Sequence, residues 1–368
     1  MINEIIVYNR NKVLRFIYSN FLKPVFFLMD PEDIHDFMTW IGRILGASSI
    51  TRNIVSLFFS YSNKALEQKI LGIKFKNPVG LAAGFDKNAR LTKILPSVGF
   101  GFGEVGTITG EECQGNPKPR LWRLEESKSL RVYYGLKNDG CKTISKRLRK
   151  EKFTIPFIIS IGKTNNRKTS ETKTGIRDYV KTYKEFTGIG HIFDINISCP
   201  NAFGGQPFSD PVKLHKLLLQ IDKVSTEKPV FLKMPPDLSS KELDEILNVV
   251  KKHKVDGFIC SNLTKKNSSK GGLSGKTVED LSNQQIQRIY QKTKGEYVII
   301  GSGGVFSAED AYKKIKLGAS LIQLITGMIF EGPQLISEIN QGLVKLLQKD
   351  GYKNISQAIG KGNKFSNP

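Results

Sequence analysis

Asp194-Ile195-Asn196-Ile197-Ser198-Cys199-Pro200-Asn201 closes an apolar run with a cluster of amide, hydroxyl and thiol side chains. The alternating β-branched residues predict a buried strand, and Pro200-Asn201 predicts its stop. A buried strand with polar groups at its carboxyl end is the repeating unit of an α/β barrel, whose chemistry gathers at those ends. Alone, the octapeptide reads equally as a strand followed by an ordinary turn, with Cys199 a small buried hydrophobe. What separates the two readings is whether other strands of the chain end in the same way.

Seven more short apolar runs, at 78–82, 102–106, 156–161, 230–234, 257–260, 297–301 and 321–325, also lead into polar or glycine-rich ends. Amphipathic helical stretches follow most of them, at 211–223, 240–253, 280–292, 308–317 and 334–347. Eight strand-helix units predict an α/β fold of the (β/α)8 TIM barrel type rather than an open doubly wound sheet. Gly, Lys, Asn and hydroxyl residues collect at the strand ends, which marks the barrel top as a ligand site. Two long segments interrupt the pattern, 107–138 and 261–276, and are expected to form lids or binding walls. The Asn, Lys, Thr and Arg-rich stretch 163–175 is expected to be solvated.

Upstream, residues 1–62 read as an amphipathic helical segment, with Asp30 an N-cap and Pro31 the first helical residue. Such helices lie in a membrane interface or pack on the next domain. No run reaches the roughly 18 apolar residues of a membrane span. The nearest, 13–29, is broken by Arg15, Asn20, Lys23 and Pro24 and lacks the small-residue cleavage site of a secretory signal. The chain is thus divided into a helical segment 1–62, a barrel 63–350 and a polar tail 351–368.

Among 368 residues, Lys and Arg number 56 against 34 Asp and Glu, a formal net charge of +22. That balance favours anionic partners, lipid headgroups or nucleic acid, or reflects a preference for Lys, Asn and Ile throughout. Cys113, Cys141, Cys199 and Cys260 contain no C-x-x-C pair. Neither a zinc site nor a disulfide framework is signalled, no metal is expected, and a reducing compartment follows.

Late in the barrel, Gly301-Ser302-Gly303-Gly304 and Thr326-Gly327 offer backbone N–H groups where this fold usually holds a phosphate. Lys87 and Lys233 each stand at a strand end in an apolar context, where an ammonium needs an anionic or electron-rich partner. A flavin's pyrimidine edge supplies one for Lys233, and a substrate carboxylate one for Lys87.

The motifs Asn77 to Lys87, Gly106 to Thr109, Gly115 to Arg120, Asn196 to Asn201, Gly271 to Gly275 and Gly301 to Gly304 together resemble the dihydroorotate dehydrogenase family, over about residues 29–345. Met29 to His35 and Gly115 to Leu124 are similar to its quinone-using, membrane-associated branch. The resemblance implies an FMN-dependent oxidation of dihydroorotate to orotate, a step of pyrimidine (UMP) biosynthesis, with a membrane quinone as acceptor. Carried over by position, it implies FMN contacts at Ala83, Gly84, Thr107, Ser160, Asn196, Lys233, Ser261, Gly275, Gly304 and Thr326. Substrate contacts are implied at Lys87, Val132, Gly135, Leu136, Asn196, Asn201 and Asn262, with Cys199 as the catalytic base. His35 and Arg123 fall on residues lining the quinone tunnel, formed in that branch by amino-terminal helices. The location so implied is peripheral, on the cytoplasmic side of the cell membrane, and a nucleic-acid partner is not favoured.

Four positions depart from the family pattern. Cys199 stands where the quinone branch carries Ser, Val132 where the family carries the Asn that binds the substrate ring, Ser160 replaces an Asn and Ile325 a Tyr. Val132 keeps open a related flavoenzyme acting on another cyclic amide with a soluble acceptor, or a flavin-binding protein without catalysis.

Overall fold

The computed structural model describes residues 2–205, 207–261, 263–266, 268 and 270–363. Four helices come first: α1 (Ile2–Ile17), α2 (Lys23–Leu28), α3 (Pro31–Ala47) and α4 (Ser49–Phe59), with one π-helical turn, Tyr18–Leu22, between α1 and α2. Asp30 caps α3, its carboxylate accepting from the Glu32 and Asp33 amides, and Pro31 takes the first helical position, where no N–H is needed. No helix among the described residues is long and apolar enough to cross a membrane.

The strands are β1 (Gln68–Ile70), β2 (Ile73–Phe75), β3 (Val79–Leu81), β4 (Phe102–Ile108), β5 (Leu121–Leu124), β6 (Ser129–Val132), β7 (Phe157–Ile161), β8 (Ile192–Asn196), β9 (Val230–Lys233), β10 (Gly257–Cys260), β11 (Gly272–Gly275), β12 (Val298–Ser302) and β13 (Leu321–Leu324). Among the described residues, β3, β4, β7, β8, β9, β10, β12 and β13 pair in parallel and close into a barrel. All eight expected runs are barrel strands. The outer helices are α5 (Leu95–Val98), α6 (Cys141–Leu148), α7 (Thr172–Glu185), α8 (Pro211–Ile221), α9 (Ser240–Val250), α10 (Glu279–Lys292), α11 (Ala308–Leu317), α12 (Thr326–Glu331) and α13 (Leu335–Lys349).

The two long segments do more than cover the barrel. β5 and β6 from the first and β11 from the second form an antiparallel sheet, with Val132 opposite both Leu121 and Gly272. The β1-β2 hairpin plugs the barrel bottom, where Phe75 packs with Phe102, Ile158, Ile192, Phe231, Ile259, Ile300 and Leu321. Each such side chain contributes about 1.5–3 kcal/mol on burial.

The stretch expected to be solvated is packed, and so is part of the polar tail. Lys163, Thr164 and Thr169 are buried, because Asp178 accepts from both the amide and the hydroxyl of Thr164. Near the carboxyl end, Ile355 and Ala358 of a 3-10 turn are fully buried, and the Gly360 amide donates to the Ile315 carbonyl.

Helix α1 packs with its polar side inward. Arg10 and Asn11 donate to Ser337 Oγ, Arg15 pairs with Glu331 and Glu338, and Gln341 donates to Glu4. Its Ile5, Ile6, Val13 and Phe16 are exposed, as are Phe21, Leu28 and Leu57 on the following helices.

Candidate active site

Side chains two residues apart on a strand share a face, so the apolar barrel layer specifies the layer above it. Two positions beyond Phe102, Ile158, Ile192, Phe231, Ile259, Ile300 and Leu321 stand Glu104, Ser160, Asp194, Lys233, Ser261, Ser302 and Gln323. None of the seven is more than 2% exposed. An apolar plug therefore carries a buried polar floor, and buried polar groups must find partners.

Most do. Lys233 Nζ lies 3.4 and 3.3 Å from Glu104 Oε1 and Oε2, and Glu104 Oε2 also accepts from the Ala83 amide at 3.0 Å. Asn196 Nδ2 donates to Thr107 Oγ1 at 2.7 Å, the Thr107 and Ser160 hydroxyls are 3.0 Å apart, and Ser160 Oγ donates to Asp194 Oδ2 at 2.6 Å. No donor reaches Asp194 Oδ1, and both amide atoms of Gln323 have no partner.

Above the floor opens one cavity of about 260 Å³. At its inner end stand Asn196, Ser198, Cys199, Asn201, Lys233 and Lys87, and at its outer end Tyr18, Phe26, Phe27, Ile34 and Met38 of the helical cap. Ala83, Gly84, Thr107, Val132, Gly135, Leu136, Thr326, His35 and Arg123 line it too. Fourteen of the expected site residues thus share one space.

The rest lie elsewhere. Ser160 and Ser261 are buried in the floor, where Ser261 donates to Gln285. Gly275 packs beside Thr326, and Gly304 against Glu279. Asn262 lies outside the described residues. Beside Gly275, Ser274 and Thr326 share a hydrogen bond at 2.8 Å where β11 meets the start of α12.

Cys199 is half-buried at the end of the β8 strand. Burial pushes its thiol above the ordinary value, and the amides of Asn201 and Ala202 and the Lys163 ammonium oppose that shift. Lys163 is itself tied to the Phe203 carbonyl at 2.6 Å. Asn201 Nδ2 donates to the Val132 carbonyl at 2.8 Å, so β6 fixes the amide through its backbone, while Asn201 Oδ1 has no partner.

Lys87 is brought down to about 7 by burial, against the pull of Asp36. Its Nζ sits 4.0 Å from the Tyr134 ring centroid and 3.4 Å from His35 Nε2. His35 also contacts the Phe85 carbonyl and Asp36, yet burial and Lys87 hold its pKa low. Arg123 donates to the Met29 carbonyl at 2.8 Å and covers the Phe27 ring.

One buried ion cluster fastens the cap to this end. Glu32 of α3 takes a fork from Arg120 at 2.7 and 2.9 Å and a third bond from Lys137 at 3.0 Å. These charge-assisted bonds overcome burial and hold the Glu32 carboxyl at about 2.

Sequence reasoning passed over Glu104, Asp194, Tyr134 and Lys163 as site residues. The signal for the first two was present: each stands two positions beyond an apolar inward residue on its strand. Lys163 stands just past the end of β7, among the polar strand ends, whereas the place of Tyr134 depends on non-local packing.

A family model described as dihydroorotate dehydrogenase matches residues 65–347. The dihydroorotate dehydrogenase (quinone) of Sulfurimonas denitrificans is 38% identical over 350 residues, covering 93% of this chain and 98% of that protein. That of Nautilia profundicola is 36% identical over 357 residues, covering 93% and 96%. Among solved structures, dihydroorotate dehydrogenase of Eimeria tenella in complex with ferulenol aligns with a TM-score of 0.81 at 28% identity, covering 91% of this chain and 96% of that one.

Proposed function

The chain belongs to the dihydroorotate dehydrogenase family, and from that membership we propose that it oxidises dihydroorotate to orotate with bound FMN and passes the electrons to a quinone, within pyrimidine biosynthesis. The observation that carries this reading is the single cavity joining Cys199, Lys87 and Lys233 to the apolar arm under the cap. The donor set fits a flavin. Gln323 holds two unpartnered polar atoms in a floor that a flat, polar ring would cover, and Gly84, at φ 106°, has open space where a Cβ would stand. When bound, FMN would supply a hydride acceptor at the substrate end and an electron donor at the quinone end.

Ala83, Gly84, Thr107, Asn196 and Lys233 would hold the ring, with Ser160 acting through Thr107. Ser261, Gly275, Gly304 and Thr326 would serve the phosphate end. Lys87 would pair with the substrate carboxylate, an anion that restores the charged form of an ammonium depressed by burial. Asn196 and Asn201 would bind the ring amides beside Val132, Gly135 and Leu136. Cys199 Sγ would take the proton from C5 as hydride leaves C6. Its thiolate replaces the hydroxyl base of the quinone branch.

The acceptor would enter between α2, α3 and α12, past His35 and Arg123. We infer that the exposed apolar residues of α1 to α4 rest on the membrane that holds it, on its cytoplasmic side. Anaerobic titration decides the matter: the flavin is expected to bleach with dihydroorotate and to recolour with a short-chain quinone. A flavin that dihydroorotate leaves yellow would overturn the substrate assignment. Bleaching without recolouring would instead move the acceptor to a soluble one.

A further inference from the structure

The polar floor contains two carboxyl groups and one ammonium in a layer closed to solvent. Glu104 and Asp194 are fully buried, and Lys233 is 2% exposed. Lys233 lies within 3.4 Å of both Glu104 oxygens, so that pair is neutral when both are ionised. An ionised Asp194 would then add an uncompensated negative charge to a dry interior, a costly arrangement. The donor that reaches it, Ser160 Oγ, itself backed by Thr107 and Asn196, ends on Oδ2. Oδ1 has none.

We propose that Glu104 and Asp194 hold one proton between them, as a carboxylic acid paired with a carboxylate, and that the pair is a positioning element that keeps the Lys233 ammonium charged and fixed beneath the cofactor edge. The side chains of Asp194 and Glu104 meet as hydrogen-bond partners, so the proton gives the two acceptors a hydrogen bond in place of a repulsion and leaves the floor neutral. Burial and the neighbouring Glu104 charge both raise the Asp194 carboxyl well above its ordinary value, and the opposing pulls of Lys233 and Ser160 are weaker than burial. The role toward the cofactor rests on the FMN reading. The protonated pair itself does not.

Infrared spectroscopy at pH 8, on the protein with and without FMN, reads the pair directly. The wild type should show a deuterium-sensitive carboxylic acid carbonyl band that is absent from Asp194→Asn. It should be absent from Glu104→Gln as well, because Asp194 then ionises as the sole counter-charge of Lys233. No such band in the wild type, or a band that survives in Glu104→Gln, overturns the proposal without recourse to any other variant.

The bound flavin's midpoint potential provides the second readout, one that a merely structural role would not order in this way. Each single amide variant keeps one carboxylate, so the ratio of affinities for oxidised and reduced flavin should stay within about twofold of wild type. Removing both carboxylates leaves Lys233 uncompensated and should favour the reduced form about tenfold or more, about 30 mV for a two-electron couple. A tenfold shift in Asp194→Asn alone would mean that Asp194 is ionised, and the pair would be refuted. If the wild type retains no flavin, the FMN reading fails while the infrared result on the apoprotein still decides the pair.

Discussion

Below the cavity, Glu104, Ser160, Asp194 and Lys233 bury charge and hydroxyls inside the barrel, whereas above it Phe16, Phe21, Leu28 and Leu57 stand in solvent on the cap. Each arrangement is costly by itself, and each is settled differently. The floor is balanced internally, by hydrogen bonds and opposite charges between neighbouring strands. The cap leaves its apolar surface unbalanced until something apolar covers it. Substitutions in the two regions should therefore separate cleanly, with floor and mouth variants changing chemistry and cap variants changing only association and acceptor delivery.

The sharpest separation is expected at Cys199. Cys199→Ala should slow anaerobic flavin reduction about 10²–10⁴-fold, the usual contribution of a positioned base. Stopped-flow absorbance should show the quinone half-reaction unchanged, and equal slowing of both halves would break the comparison.

Glu32→Ala comes next, since it acts where the two regions meet. Stripping the buried carboxylate leaves the Arg120 charge without its counter-ion, at a cost of about 3–5 kcal/mol in unfolding free energy. In the wild type this contribution is fully present above the ordinary carboxylate pKa and is lost as pH falls toward about 2, the folded value. Denaturant melts at descending pH should show that loss in the wild type and a flatter curve in the variant.

A smaller effect is the pH dependence of flavin reduction. Burial holds the Cys199 thiol above its ordinary value, so the thiolate fraction grows about tenfold per pH unit below its pKa. The rate should still be climbing at pH 8.5, where a profile already flat would mean that another group is the base. Smallest of all, Leu28→Ser removes a side chain that is 89% exposed and should weaken liposome binding about tenfold while sparing reduction by dihydroorotate. Unaltered liposome binding would remove Leu28 from the contact surface.

Much of this is legible in the sequence. Barrel strands alternate apolar residues with polar ends, and that local signal located all eight and placed Cys199 at the mouth. The β1-β2 hairpin was missed because three-residue strands carry no periodicity, although Phe75 proves central to the plug. The β5-β6-β11 sheet escaped notice because it joins segments some 140 residues apart. Val132 looked like a lost amide when read by its side chain, yet its carbonyl is what orients Asn201. Lys163 sits in a stretch of solvated composition and is buried with its ammonium on the Phe203 carbonyl, 40 residues away in sequence.

Helix α1 carries one more consequence. Its polar face is pinned to α13 through Ser337, Glu338 and Gln341, so its 16 residues are ordered with the apolar face already turned outward. Many surface-seeking helices are unstructured in water and pay the ordering entropy on contact with lipid, about 1–2 kcal/mol per residue. Here that cost is met during folding. Far-ultraviolet circular dichroism should consequently show no gain of helix on the vesicle binding proposed for the cap.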